Sequence, residues 1–76
     1  MNEQFIGQIV LNAGIRVPSG WHACDGALLP VMQYTELFSA LGNKYGGDGM
    51  KTFGLPKLPD AGGAAYVIAM EGSYPA

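Results

Sequence analysis

The chain has 76 residues, a net charge of −2, one cysteine and one histidine, and 49% of it is hydrophobic while only 13% is charged. A lone cysteine excludes an internal disulfide, and one cysteine with one histidine is too few for a structural zinc site with its four ligands. Four scattered basic residues do not provide the clustered charge that nucleic acid binding needs, and no apolar run reaches the length of a membrane span.

Length and composition together point to self-assembly. A chain this short buries only about 60% of the surface that its unfolded form exposes, and small domains compensate with disulfides, metals or oligomerisation. Only oligomerisation is left here, and the high apolar fraction agrees with it. We therefore predict a homo-oligomer. Residues 1–4 carry no basic residue ahead of an apolar stretch, so no secretion signal is expected.

The first half of the chain predicts short strands and a turn. Residues Phe5–Leu11 alternate as a strand does, with one clearly apolar face and one mixed face. Further along, Asp25-Gly26 lies between two short apolar stretches, 21–24 and 27–29. Because Gly26 tolerates positive φ and Asp25 tolerates a left-handed conformation, this pair predicts a tight hairpin or a bulged turn.

A short helix is predicted from about Met32. Its apolar residues recur at helical spacing on one face, namely Tyr34, Leu37, Phe38 and Leu41. Gly42 follows where a helix is expected to end. The next segment, Gly46–Gly49, has three glycines in four residues, which indicates unusual backbone angles and a fixed structure.

The C-terminal part predicts two extended segments. Residues Thr52–Leu55 form a short one, and Pro56 and Pro59 after it exclude a helix. Residues Ala64–Met70 are apolar on both faces, as in a strand buried on both sides. One face would then close the core, and the other would meet a neighbouring subunit or a covering loop. The predicted subunit-interface residues are Tyr66, Val67, Ile68 and Met70.

No catalytic or cofactor site is expected. Gly49-Met50-Lys51-Thr52 departs from the phosphate-binding loop, because Met50 separates the glycine from the lysine and a helix precedes the loop. His22 and Cys24 would share a strand face, as a nucleophile pair could, yet no third group orients them. Three aspartates lie beside glycine or alanine in predicted turns, namely Asp25, Asp48 and Asp60. Aspartate side chains in turns bond nearby backbone N–H groups, and this explains their positions without an active site. The Gly-Asp-Gly loop lacks the alternating oxygen ligands of a dedicated calcium site.

Taken together, several short motifs resemble the phage tail-collar domain family, which includes tail-fibre proteins and bacterial proteins labelled microcystin-dependent. The resemblance covers roughly residues 5–58 and is typical of a short, stand-alone form. The motifs are Pro18-Ser19-Gly20-Trp21, Cys24-Asp25-Gly26, Leu37-Phe38-Ser39, Tyr45-Gly46-Gly47-Asp48-Gly49 and Thr52-Phe53-Gly54-Leu55-Pro56. After Pro56 the chain departs from the family, because Lys57-Leu58-Pro59-Asp60 stands where an acidic residue and an Arg-Gly-Arg-like stretch are usual.

The resemblance implies a structural, non-enzymatic module of a phage tail or tail-like particle. Such modules are oligomeric, commonly trimeric, so the implied partners are further copies of the chain and other tail or fibre proteins. Trp21 would be a core residue, Asp25-Gly26 a turn, and Gly46–Gly49 a fixed loop. The motif residues expected to determine the fold are Gly20, Trp21, Cys24, Asp25, Gly26, Leu29, Pro30, Leu37, Phe38, Leu41, Gly42, Tyr45, Gly46, Gly47, Asp48, Gly49, Phe53, Leu55 and Pro56.

The combined expectation is a single domain over residues 1–76, α+β in class, a small turn-rich mixed β fold with one short helix. The expected location is a virion tail or tail-like particle, after synthesis in the bacterial cytoplasm. The alternative is a stand-alone bacterial module that binds a protein or a glycan through its loops.

Overall fold

The computed structural model describes residues 4–14 and 16–73. Within these residues the elements, in chain order, are β1 (Ile9–Asn12), β2 (Trp21–Ala23), β3 (Leu28–Pro30), α1 (Thr35–Leu41), β4 (Thr52–Gly54) and β5 (Ala65–Ala69). The strands form one sheet in the order β1-β5-β2 and a second sheet that pairs β3 with β4. The predicted α+β class is confirmed. No helix in the described part of the chain is long and apolar enough to cross a membrane.

Strand β5 lies at the centre of its sheet and runs antiparallel to both neighbours. Each central residue lies between one residue of either edge strand, Val67 between Val10 and Ala23, and Ile68 between Ile9 and His22. Val67 and Ile68 point to opposite faces, because side chains alternate along a strand. Their exposed fractions are only 1% and 0%. The prediction of a last strand that is covered on both faces is therefore confirmed.

The first strand starts later than the predicted Phe5–Leu11. The Gln8 N–H donates to the Phe5 carbonyl at 3.0 Å and closes a turn whose third residue, Gly7, has φ 85°. A type II turn requires positive φ at that position. Ala69 then bonds two successive residues, accepting from the Gly7 N–H and donating to the Gln8 carbonyl, both at 2.9 Å. This is a β-bulge with a left-handed glycine, and it moves the start of regular pairing to β1.

The Asp25-Gly26 pair does not close a hairpin, because the segments on either side of it belong to different sheets. Strand β2 pairs with β5, whereas β3 pairs with β4. Asp25 lies opposite Lys57 in an isolated antiparallel bridge, and its carboxylate accepts the Ala27 N–H at 3.0 Å. The local turn therefore exists, with Gly26 at φ 81°, but it carries the chain from one sheet to the other.

Helix α1 has the predicted apolar stripe, but it begins at Thr35 and not near Met32. A turn precedes it, in which the Tyr34 N–H donates to the Pro30 carbonyl at 3.2 Å and the Thr35 hydroxyl donates to the Val31 carbonyl at 3.1 Å. The helix ends at Gly42, which has φ 67° and donates its N–H to the Phe38 carbonyl at 2.7 Å. The predicted C-terminal glycine is confirmed.

The main hydrophobic core joins both sheets and the helix. Its buried members are Ile6, Cys24, Leu29, Leu37, Phe53, Leu55 and Ile68. The rings of Phe38 and Phe53 pack with their centroids 5.4 Å apart at a tilt of 56°, which links the helix to β4.

Trp21 is not one of the buried core residues and is partly exposed, contrary to the expectation from the resemblance. The register of the sheet gives the reason. Trp21 lies opposite Ala69, which is on the same face as Val67 and on the opposite face from Ile68. The tryptophan therefore covers the second face of the sheet.

Candidate functional site

One carboxylate organises the glycine loop Gly46–Gly49. Oδ1 of Asp48 accepts the N–H groups of Met50, Lys51 and Thr52 at 2.9, 2.8 and 3.0 Å. Hydrogen bonds to the charged form stabilise it. The bonds from Thr52, Met50 and Lys51 accordingly lower the pKa of the Asp48 carboxyl from 3.8 to about 2. Asp48 thus fixes the fold of the loop through the three backbone donors that its Oδ1 accepts.

The glycines of this loop lie directly against strand β4. Gly46, Gly47 and Gly49 all have positive φ, as the sequence predicted. A Cβ on Gly47 would lie 2.5 Å from the Phe53 Cα and 2.6 Å from the Thr52 carbonyl oxygen. The Gly54 N–H also donates to the Gly46 carbonyl at 2.9 Å. The loop is therefore a fixed element built on backbone contacts that only glycine permits.

We expect Asp48→Asn to remove an acid-sensitive part of the stability. The folded pKa of about 2 lies below the ordinary 3.8, so the carboxylate stabilises the fold above pH 3.8, and this contribution is lost as the pH falls through about 2. Melting temperatures of parent and variant, measured from about pH 5 to pH 2, should converge, since the other carboxyl groups titrate equally in both. A difference that stays constant over this range would contradict the role of Asp48.

Cys24 and His22 occupy different environments. Cys24 is buried in the core, and burial, with a smaller effect of Asp25, raises the pKa of its thiol. The reactive form of cysteine is the thiolate, so this group is poorly suited to act as a nucleophile near neutral pH. The Nδ1–H of His22 donates to the Ala23 carbonyl at 2.8 Å. The two residues therefore serve packing and strand structure in the observed arrangement.

Cys24→Ser is expected to destabilise the fold by about 1–3 kcal/mol, because a hydroxyl replaces a thiol in an apolar environment, and to leave the solution mass unchanged. Cys24→Ala is the matched control, since it removes the sulfur without adding a polar group. Alkylation of the native thiol should also be much slower than in urea. Rapid alkylation of the folded chain would contradict the burial of Cys24.

Within residues 4–14 and 16–73, the acidic residues do not gather into a site. Asp25 and Asp48 bond nearby backbone N–H groups, as their turn positions predicted. Among residues 4–14 and 16–73, no three side chains of His, Cys, Asp or Glu lie close enough together to hold a metal ion.

A shallow cleft of about 290 Å³ lies beside the start of helix α1. Its apolar residues are buried or partly buried, and its polar residues are mostly exposed. It is lined by Ile6, Gln33, Tyr34, Thr35, Glu36, Leu37 and Met70. A cleft with an apolar base and a polar rim has the composition that small ligands use.

Strand β1 is the most apolar exposed strand of the structure. The exposed fractions of Ile9, Val10 and Leu11 are 37%, 36% and 50%, so both faces of the strand reach solvent. Exposed apolar side chains that adjoin one another mark interaction surfaces more often than isolated ones do. The apolar face that the alternation of residues 5–11 predicted, with Phe5, Ile9 and Leu11, is therefore exposed.

The predicted interface residues of β5 differ in accessibility. Val67 and Ile68 are covered by the chain's own residues, whereas Tyr66 and Met70 are only partly buried. Contact with a neighbouring subunit through this strand would therefore involve Tyr66 and Met70. The second face of this strand was expected to meet either a neighbouring subunit or a covering loop. The burial of Val67 fits a covering by the chain's own residues.

The family-motif residues are spread through the fold and do not converge on one site. Five of them are buried in the core, namely Cys24, Leu29, Leu37, Phe53 and Leu55. Phe38 and Leu41 pack against that core. Glycines with positive φ make up a second group, which consists of Gly20, Gly26, Gly42, Gly46, Gly47 and Gly49. Tyr45 is exposed, with the Lys44 ammonium 5.2 Å from its ring centroid.

A family model described as Phage Tail Collar Domain matches residues 7–62. The matched span contains β1 to β4 and helix α1, and it ends before β5. No curated protein and no solved structure matches the chain.

Proposed function

The chain belongs to the phage tail collar domain family, and we propose on that basis that it is a structural, self-assembling module of a phage tail or tail-like particle. The family match over residues 7–62 carries this proposal. The partners would be further copies of the chain, with a trimer favoured, and neighbouring tail or fibre proteins. In this role the chain acts by presenting surfaces and performs no catalysis.

Two features of the chain support a role in assembly. Large apolar side chains are exposed at Phe5, along β1 and at Leu28, while only 13% of the residues are charged. The glycine loop adds rigidity at the surface, since Asp48 and the close approach of Gly47 to β4 fix its shape. A rigid surface with accessible apolar groups favours association, because little conformational freedom is lost on binding.

The solution mass of the purified chain tests self-assembly. We expect light scattering coupled to size exclusion to give a homo-oligomer at micromolar concentration, because the apolar surface favours burial between subunits. The trimer favoured by the family would have three times the mass of the 8.0 kDa chain. A folded monomer over the whole concentration range would refute self-assembly.

The particle context needs a separate experiment. A tagged chain should sediment with intact tail particles in a density gradient and stay bound after a salt wash, since apolar contacts are insensitive to ionic screening. A matched strain that expresses an unrelated tagged protein of similar mass controls for trapping. Recovery of the chain only in the soluble fraction would refute the particle role and leave self-assembly as a separate question.

A second candidate function is ligand binding by a stand-alone bacterial module, and the cleft at α1 favours it. Its lining includes the exposed Gln33 and Glu36 and the partly buried Tyr34. Polar groups next to an aromatic ring suit a glycan, which offers both hydroxyl groups and apolar ring faces.

Thermal melting with a panel of mono- and oligosaccharides tests this second function. A specific ligand raises the apparent melting temperature by mass action, and Glu36→Ala should abolish the shift. Glu71→Ala is the matched control, because it removes an exposed carboxylate outside the cleft. Equal shifts in both variants, or none in the parent, would refute glycan binding at the cleft.

A further inference from the structure

The two edges of the three-stranded sheet differ in their hydrogen bonding. At the β2 edge, the outward peptide groups are already used locally. The Trp21 N–H donates to the Pro18 carbonyl at 3.1 Å. The Ala23 carbonyl accepts the Asp25 N–H at 2.9 Å and the Nδ1–H of His22 at 2.8 Å. This edge offers few free groups to another strand.

The β1 edge is open. The Ala69 N–H donates to the Gln8 carbonyl. Peptide groups along an edge strand point alternately toward and away from the neighbouring strand, so those of Gln8, Val10 and Asn12 point toward β5. The peptide groups of Ile9 and Leu11 therefore point away from the sheet. β1 is the outermost strand of its sheet, and no residue in the described part of the chain pairs with its outer side.

The sequence of this edge carries no charge or proline that would discourage pairing with another strand, and the β-bulge at Gly7–Gln8 lies before β1 begins. Natural proteins protect edge strands with charges, proline or a covering segment. Residues 4–14 contain no charged residue and no proline. The side chains of Ile9, Val10 and Leu11 are each more than one third exposed. The edge thus combines unpaired backbone groups with accessible apolar side chains.

We propose that β1 pairs antiparallel with β1 of a second copy of this chain, across a two-fold axis at Val10. Outward peptide groups form the hydrogen-bonded positions of such a ladder. This requirement places Ile9 opposite Leu11 of the second copy and Val10 opposite itself. The proposal rests on the self-assembly proposed above and names one interface for it.

The strand is complementary to itself, and this selects a second copy as its occupant. In the proposed register, the apolar side chains of residues 9–11 meet apolar side chains, the polar Asn12 lies opposite Gln8 of the second copy, and no like charges face each other. A two-fold interface requires one patch to match itself in this way. A contact of this kind joins two copies, so it yields a dimer or links two trimers into a hexamer.

A cysteine at the proposed axis tests the register. Residues in a non-hydrogen-bonded antiparallel pair have Cα atoms about 4.5 Å apart, within the range that a disulfide spans. Val10→Cys should therefore form a covalent dimer under mild oxidation. Leu11→Cys is the matched control, because its copies would lie two residues out of register, beyond about 7 Å, and should stay unlinked. The parent chain controls for Cys24.

A charge at the same position tests the interface independently. Val10→Lys places two like charges opposite each other and should halve the solution mass. Met50→Lys adds the same charge at an exposed apolar residue directly after the glycine loop and should leave the mass unchanged. Circular dichroism confirms folding, and if Val10→Lys fails to fold, the cysteine variants decide.

The outcomes separate this interface from self-assembly itself. The proposal is supported if the parent has an even number of subunits by solution mass and the Val10→Cys variant forms the covalent dimer. An assembled parent that does not cross-link through Val10→Cys, or keeps its mass in folded Val10→Lys, overturns the β1 interface and leaves self-assembly standing. A monomeric parent overturns both.

Discussion

Ile68→Asp is expected to abolish folding. Ile68 is fully buried in the core, in contact range of a cluster that includes Phe53 and Leu37. A carboxylate there would be buried without a partner, which costs several kcal/mol. A domain of this length is stable by only about 4–11 kcal/mol. Circular dichroism should show a chain without a cooperative melting transition.

Two variants serve as controls for this experiment. Ile68→Val keeps the site apolar and should cost only about 0.5–1.5 kcal/mol. Val67→Asp places the same charge on the opposite face, beside Val10 of the edge strand, which is itself exposed to solvent. We expect it to remain folded with a lower melting temperature. Parent-like melting of Ile68→Asp would show that β5 does not close the main core.

Gly47→Ala is expected to have the second largest effect, with a loss of more than about 3 kcal/mol. A left-handed conformation costs a residue with a Cβ about 1–2 kcal/mol, and Gly47 has φ 85°. The new Cβ would also lie 2.5 Å from the Phe53 Cα. Because the neighbour is backbone, no side-chain rotation relieves this contact, and β4 or the loop must shift.

The chain offers glycines that separate the two causes. Gly62 has φ 60° and no atom within 4 Å of its would-be Cβ, so Gly62→Ala measures the cost of the backbone conformation alone. Gly49→Ala adds a contact with the flexible Asn43 side chain. Its loss of stability should lie between those of Gly62→Ala and Gly47→Ala. Chemical denaturation gives the three free energies of unfolding. Equal losses of stability for Gly47→Ala and Gly62→Ala would show that the loop shifts to accommodate the new Cβ at no additional cost.

Local patterns in the sequence were sufficient for several elements. The spacing of Tyr34, Leu37, Phe38 and Leu41 predicted a helical face, and Gly42 predicted its end, because both depend on residues within one or two turns. The glycines of the loop predicted positive φ for the same reason. Apolar residues on both faces predicted the covering of β5, and the motifs identified the family.

The open edge at β1 was missed, although the sequence contained a signal for it. A run from residue 4 to 14 without charge or proline is unusual for an exposed strand. It is equally typical of a buried strand, so the pattern alone could not distinguish the two. The distinction depends on how many strands the sheet has and on which of them lies outside.

What only the tertiary structure decided was the pairing of the strands. Asp25-Gly26 is a local hairpin signal, yet the Cys24 N–H bonds the Tyr66 carbonyl at 3.0 Å and the Ala27 carbonyl bonds the Leu55 N–H at 2.9 Å. These partners are distant in sequence, 42 residues apart for Cys24 and Tyr66 and 28 for Ala27 and Leu55. A short turn permits several pairings, and the shared core around Ile68 and Phe53 selects among them, because burial depends on the whole chain.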